Sequence, residues 1–182
     1  MKINIFENLY DKEITEIADN PHHIDKPPQK YNHIQDEVLK NLQRFINYEN
    51  YKLGIIKLTG GSDLIGIALN QENRIVSVME TMNDEDIGKY HRIYSTWTSS
   101  DYRNNGIMKG LVNLFVSKEG NLFSDSKQTI SAQMMWKSLL NNTAYNPVIY
   151  NTDTDEIQKY DKSKDSIIWN NDLTNIIVGL MK

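Results

Sequence analysis

The sequence predicts an α+β fold, on three observations. An amphipathic helix is followed by three strand-like segments separated by turn residues. A fourth strand then runs through a short polar loop into a second amphipathic helix. A very short fifth strand leads into a third helix, and strand-like segments return near the C-terminus.

Each element has its own signal. Residues 7–19 read as a short helix with Leu9, Ile14, Ile17 and Ala18 on its apolar side. Residues 20–33 carry Pro21 and Pro27-Pro28 with no hydrophobic period, which argues for a loop. Over residues 34–47, Ile34, Val38, Leu39, Leu42, Phe45 and Ile46 recur at helical spacing. Strands are expected at residues 51–58, 64–69 and 75–82. Gly60-Gly61-Ser62-Asp63 and Asn70-Gln71-Glu72-Asn73 form hairpin-like turns between them. Residues 92–98 are rich in aromatic and β-branched side chains, the composition of a strand. Ile107, Met108, Leu111, Val112, Leu114 and Phe115 then recur at helical spacing. Residues 121–124 read as a short strand and residues 129–139 as a helix. Residues 147–150 should form a strand, residues 152–165 a polar turn or exposed loop, and Ile167-Ile168-Trp169 and Ile176-Ile177-Val178 late strands. No repeat or linker marks a second domain, so residues 1–182 are expected to fold as one.

Composition narrows the function classes. The chain has 182 residues, which suits one core of ordinary size. A net charge of −4 supplies no overall basic field to attract nucleic acid or anionic lipid. Trp97, Trp136 and Trp169 have no interleaved cluster of Arg and Lys, which argues against a base-stacking platform. No apolar run approaches the ~20 residues that span a bilayer, and the first residues do not read as a signal peptide. The expected location is the cytoplasm, of a bacterium or of the host if phage-encoded. The absence of cysteine excludes disulfides, zinc-thiolate sites and a cysteine nucleophile.

The stretch richest in chemistry is Asp101-Tyr102-Arg103-Asn104-Asn105-Gly106-Ile107-Met108, between the fourth strand and its helix. The start of a helix leaves a row of backbone N–H groups without intrahelical partners. Together with the positive end of the helix dipole, they favour an anion such as a phosphate.

At these residues the chain resembles the GNAT superfamily of acetyl-CoA-dependent N-acetyltransferases. The family signature is Arg/Gln-x-x-Gly-x-Gly/Ala after a strand and opening a helix. Arg103 and Gly106 match it, and Met108 stands where Gly or Ala is usual. The family has Asn-x-x-Ala-x-x-Leu-Tyr further on. Here Thr129 replaces the Asn, Ala132 matches, and Trp136 replaces the Tyr that often protonates the leaving thiolate. An indole has no usable acidity. The pattern is nearest a divergent subgroup common in phage genomes.

The resemblance implies a mixed, mostly antiparallel twisted sheet flanked by helices. It implies acetyl-CoA as co-substrate, held by Arg103, Asn104, Asn105, Gly106, Ile107 and Met108, with the pantetheine arm pairing along Thr96, Trp97 and Thr98. The implied partners are an acyl-CoA and an amine-bearing acceptor, with a homodimer or a phage or host protein as further partners. The alternative is a catalytically inactive phage protein of the same fold, acting as a virion component or a host-protein binder.

The remaining candidates are weighed residue by residue. Glu80 ends the strand at residues 75–82 and by period two shares a face with Val76 and Val78. Its carboxylate could take the acceptor amine's proton, or it could be an ordinary surface residue beside Asp84-Glu85-Asp86. Tyr145 and Tyr150 are the nearest replacements for the missing acid, because a phenol can protonate a thiolate. His22, His23 and His33 match no closed zinc motif and read as loop residues, so no metal is expected. His91 could act as a base near neutrality but reads better as a polar strand end. Asp125 is expected to cap the helix at residues 129–139.

Overall fold

A computed structural model describes residues 31–57, 64–84, 90–141, 144–169 and 175–182. The helix expected at residues 7–19, His22, His23 and the turn at residues 60–63 lie outside the described residues.

The described strands are β1 (Ile46–Tyr48), β2 (Tyr51–Lys57), β3 (Leu64–Leu69), β4 (Ile75–Asp84), β5 (Tyr90–Thr98), β6 (Leu122–Phe123), β7 (Asn146–Asn151), β8 (Glu156–Lys159) and β9 (Ile176–Met181). The helices are α1 (Asn32–Lys40), α2 (Ile107–Glu119), α3 (Ile130–Asn141) and the single turn α4 (Asp165–Ile168). The strands form one sheet in the order β1-β2-β3-β4-β5-β6-β9-β7-β8. Every junction is antiparallel except β5 with β6, which are joined by α2 and run parallel. This is the α+β class that the sequence predicts, with the mixed, mostly antiparallel sheet flanked by helices that the resemblance implies.

Alternation along the strands sorts the core into two faces. Leu53, Ala68, Met79, Ile93, Leu122, Val178 and Leu180 pack with α2 and α3 in one cluster that crosses the sheet. On the opposite face, Ile56, Ile65, Ile67, Val78 and Trp97 pack under Tyr31, Ile34 and Val38 at α1. Phe123, Val148, Tyr150 and Ile177 form a separate patch. Val76 belongs to the first cluster and Val78 to the second, because the β3–β4 register shifts beside it. The period-two expectation that put both on one face is corrected by that bulge.

Three further expectations are corrected. The helix starting near residue 34 ends at Lys40, where the Asn41 side chain bonds the Glu37 carbonyl (2.9 Å) and its own N–H bonds Val38 (3.0 Å). Phe45 is then extended and lies across Gly54, where even a methyl group would be 2.7 Å from the ring. Residues 152–165 contain strand β8, paired with β7. Residues 165–168 are helical rather than extended, because Asp165 organises a turn. Its Oδ1 accepts from Tyr160 Oη (2.6 Å) and Trp169 Nε1 (3.1 Å), and its carbonyl accepts the Trp169 N–H (3.0 Å).

Tyr160 is buried beside that carboxylate, and burial, with Asp165 next, pushes its pKa from 10.0 to about 12. The neutral phenol is therefore the form the fold prefers. Its contribution is complete below pH 10, the unfolded value, and is lost as pH rises through about 12. An absorbance titration should show a tyrosine ionising near pH 12, and Tyr160→Phe should remove that late step while costing about 1 kcal/mol of stability.

Candidate functional site: a wedge between two strands

The site starts from a strand pairing that stops early. β5 pairs with β4 along its length, but with β6 at only His91↔Leu122 and Arg92↔Phe123. Beyond Phe123 the chain turns to β9 instead: Ser124 N–H bonds the Val178 carbonyl (2.7 Å), and Ser124 Oγ accepts the Val178 N–H (3.2 Å). Residues 93–98 therefore have β4 on one side and no strand on the other among the described residues. This open edge runs roughly 17 Å at ~3.3 Å per residue. Within it the β4–β5 register steps from Glu80↔Ser95 to Thr81↔Ile93, leaving Tyr94 as an extra residue in a bulge. Thr96 is exposed, Trp97 is buried under α1, and Thr98 Oγ1 lies 2.8 Å from Ser77 Oγ.

The open edge ends at the polar loop. Ser100–Tyr102 forms a 3-10 turn, Arg103 is extended, and Asn104 (φ 63°) and Gly106 (φ 71°) are left-handed. Arg103 Nε donates to the Thr98 carbonyl (3.1 Å), tying the loop back to the strand end. Tyr102 anchors it from beneath, its hydroxyl accepting from Asn70 Nδ2 (3.2 Å) and its ring lying edge-on to Tyr51. α2 then opens at Ile107 with Gly106 as N-cap and no side-chain capping bond. Asn104, Asn105 and Gly106 are exposed, while Ile107 is buried and Met108 packs against the core. Met108 is thus a packing residue in the first turn of α2. The first-turn N–H groups and the helix dipole offer an anion a ready partner.

Gly110 sets how closely α2 lies on the sheet. An added Cβ would be 2.8 Å from the Tyr48 ring and 2.9 Å from Leu53. Tyr48 thereby flanks the loop, its hydroxyl 4.0 Å from where a Cβ on Gly106 would sit. Burial pushes the Tyr48 hydroxyl pKa up, and Glu49 adds to the shift. Tyr48 falls between the helix expected at residues 34–47 and the strand expected at residues 51–58, so its place here was not legible in the sequence.

Glu80 is 4% exposed in the middle of β4, between Ile65 and Ser95. By alternation with Val78 it faces the α1 side. Tyr145 lies on the opposite face, against the α2–α3 cluster, and its hydroxyl donates to the Asn113 carbonyl (3.3 Å). Tyr150 is buried and donates to Asp155 Oδ1 (2.9 Å). Trp136 is buried in the core. His91 packs edge-on to Phe115 (5.1 Å), and His33 falls within α1. The cap of α3 is Thr129, whose Oγ1 accepts the Ala132 N–H (3.2 Å). Asp125 is engaged elsewhere, accepting from Arg92 Nη2 (3.2 Å) and from Ser126 N–H (2.6 Å). No group of three or more metal-ligating side chains occurs among the described residues.

No family model matches the chain, and no curated protein matches it in sequence. Among solved structures it is similar to an acetyltransferase of the GNAT family from Staphylococcus aureus Mu50. Identity is 15% over 100% of this chain and 96% of that one, with a TM-score of 0.45. It is also similar to the ribosomal-protein-S18-alanine N-acetyltransferase from Escherichia coli, at 10% identity over 82% of this chain and 86% of that one, with a TM-score of 0.38.

The left-handed backbone at Gly106 yields a prediction. The space around it is open, so a side chain there is penalised by conformation rather than by collision. Gly106→Val should lower the unfolding free energy by about 1–2 kcal/mol in urea denaturation. Gly106→Asn should cost clearly less, because asparagine tolerates this region.

Proposed function

We propose that the chain is an N-acetyltransferase of the GNAT type, moving an acetyl group from acetyl-CoA to an amine acceptor. The observation that carries this reading is the wedge: an open β5 edge that ends at an uncapped helix N-terminus opened by a left-handed glycine. An acyl-CoA offers the complementary groups in the same order. Its diphosphate suits the N–H groups of residues 103–108, and the amides of its arm suit the open strand edge that runs past Thr96, Trp97 and Thr98. The thioester then falls further along β5, where a backbone N–H of the strand would stabilise the oxyanion.

In the proposed reaction the amine nitrogen attacks the thioester carbonyl carbon, the C–N bond forms and the C–S bond breaks. Glu80 takes the proton lost by the amine, directly or through water. Much of the acceleration comes from holding the two reactants in line. Tyr145 is the proposed proton source for the departing thiolate. Its proton is directed at the Asn113 carbonyl, so this role requires the phenol to turn, and a thiolate can also leave without an acid. The acceptor is an amine, and the proposed setting is the cytoplasm, with a phage genome as proposed origin. One observation favours a second reading, a non-catalytic virion component or host-protein binder: the residue in place of the family's acid, Trp136, is sealed in the core.

A thermal-shift series with acetyl-CoA and coenzyme A separates the readings when followed by turnover assays on a panel of amines. Acetyl-CoA at about 100 times its Kd should add about 2.7 kcal/mol of stability. Glu80→Gln should leave that shift in place and lower kcat/KM about 10²- to 10⁴-fold. Equal turnover by Glu80→Gln and wild type would remove Glu80 from the chemistry. Firm binding without turnover of any amine would favour the non-catalytic protein.

A further inference from the structure

The apolar core is continuous across the sheet on the α2–α3 face but divided on the other. The divide falls at the wedge, where the side chains are polar. Arg92 occupies the last rung before the strands part, opposite Phe123. By alternation with Ile93 it points to the divided face. Its Nη2 reaches across the gap to Asp125 Oδ1 (3.2 Å) and Ser126 Oγ (3.2 Å). Asp125 Oδ1 is also held by the Ser126 N–H (2.6 Å). Gln128 Nε2 donates to Ser124 Oγ (2.8 Å) and to the Asp125 carbonyl (3.2 Å). An ion pair thus straps β5 to the segment after β6 at the apex of the wedge.

The direction of the open edge says what would meet that strap. With the anion-binding loop at the Thr98 end, an arm paired along residues 93–98 carries its thioester toward Ile93. An acyl chain continuing in the same direction runs into the apex. We propose that Arg92 and Asp125 form the end wall of the acyl site and restrict the donor to short acyl groups of about two or three carbons. This rests on the acyltransferase reading above. A longer chain finds a hydrogen-bonded ion pair at the apex instead of an apolar channel. It therefore forgoes the roughly fourfold gain in affinity per methylene that apolar burial supplies, and it disturbs charges that are already partnered.

The test is a binding series needing no turnover. Acetyl-, propionyl-, butyryl- and hexanoyl-CoA are titrated calorimetrically into wild type, Arg92→Met, Asp125→Asn and Arg92→Lys. Wild type should bind butyryl- and hexanoyl-CoA at least about tenfold more weakly than acetyl-CoA. Arg92→Met should shift the butyryl-to-acetyl affinity ratio about tenfold toward butyryl, near the worth of two methylenes. Asp125→Asn should shift it the same way by less, and Arg92→Lys should keep the wild-type order. The pair is partly exposed, with side chains at 24% and 39%. If Arg92→Met nevertheless fails to fold, Asp125→Asn carries the test. Wild type binding hexanoyl-CoA as tightly as acetyl-CoA would overturn the wall, as would an unchanged order in the variants. No binding of any acyl-CoA by folded wild type would overturn the acyltransferase reading and the wall together.

Discussion

The early parting of β5 and β6 is the constraint on which the rest of the site depends. Parallel strands normally continue their ladder, because an unpaired N–H or carbonyl in a sheet is costly. Here the ladder is diverted after two rungs. Ser124, just past β6, exchanges bonds with Val178 through both its backbone and its hydroxyl, so the chain beyond Phe123 follows β9 and leaves β5. The opening is therefore a consequence of where hydrogen bonds are spent on one side, and it leaves a row of backbone groups on the other. The side-chain strap from Arg92 to Asp125 sets where the opening begins.

The helix that follows is placed with matching economy. α2 lies against the β1–β2 hairpin at a distance that only glycine at position 110 allows. Its N-terminus is left without a side-chain cap, although capping residues are the common solution and are worth about 1 kcal/mol. Asn104 and Asn105 are near enough in sequence to have supplied one, yet both are exposed. Thr129 caps α3 in the ordinary way.

The sequence made the backbone of this arrangement legible where local chemistry decides it. Alternation and turn residues located β3 to the residue, and Arg103 with Gly106 located the loop and the start of α2. Reading failed where a contact distant in sequence overrode the local pattern. Phe45 carries the helical stripe forward on paper, but the pocket over Gly54 takes it into an extended conformation. Ile167 and Ile168 look like strand residues until Asp165 gathers Tyr160 and Trp169 into a turn. The strap was invisible for the same reason, since Arg92 and Asp125 are 33 residues apart. The proposed catalytic pair lies between these cases. Glu80 could be placed on β4 by periodicity, but its burial comes from the strands on both sides.

The replacement of an expected acid by Trp136 is best understood through packing. α3 buries Trp136, Leu139 and Leu140, and at 2% exposure Trp136 is among the largest fully buried side chains of the structure. A tyrosine at that depth would need a partner for its hydroxyl, and an unpartnered one costs about 1–3 kcal/mol. The nearby phenol that remains, Tyr145, is tied to α2 through the Asn113 carbonyl, so the α2–α3 face is built for cohesion. The opposite face, with its divided core, buried Glu80 and charged apex, is where the chain tolerates polar groups at depth. Such groups are retained against their desolvation cost when they meet a partner or a substrate. Chemistry at this wedge would therefore be driven from the side of the base. In the proposed reaction the thiolate takes a proton from Tyr145 where that phenol turns away from Asn113, and otherwise leaves on its own stability.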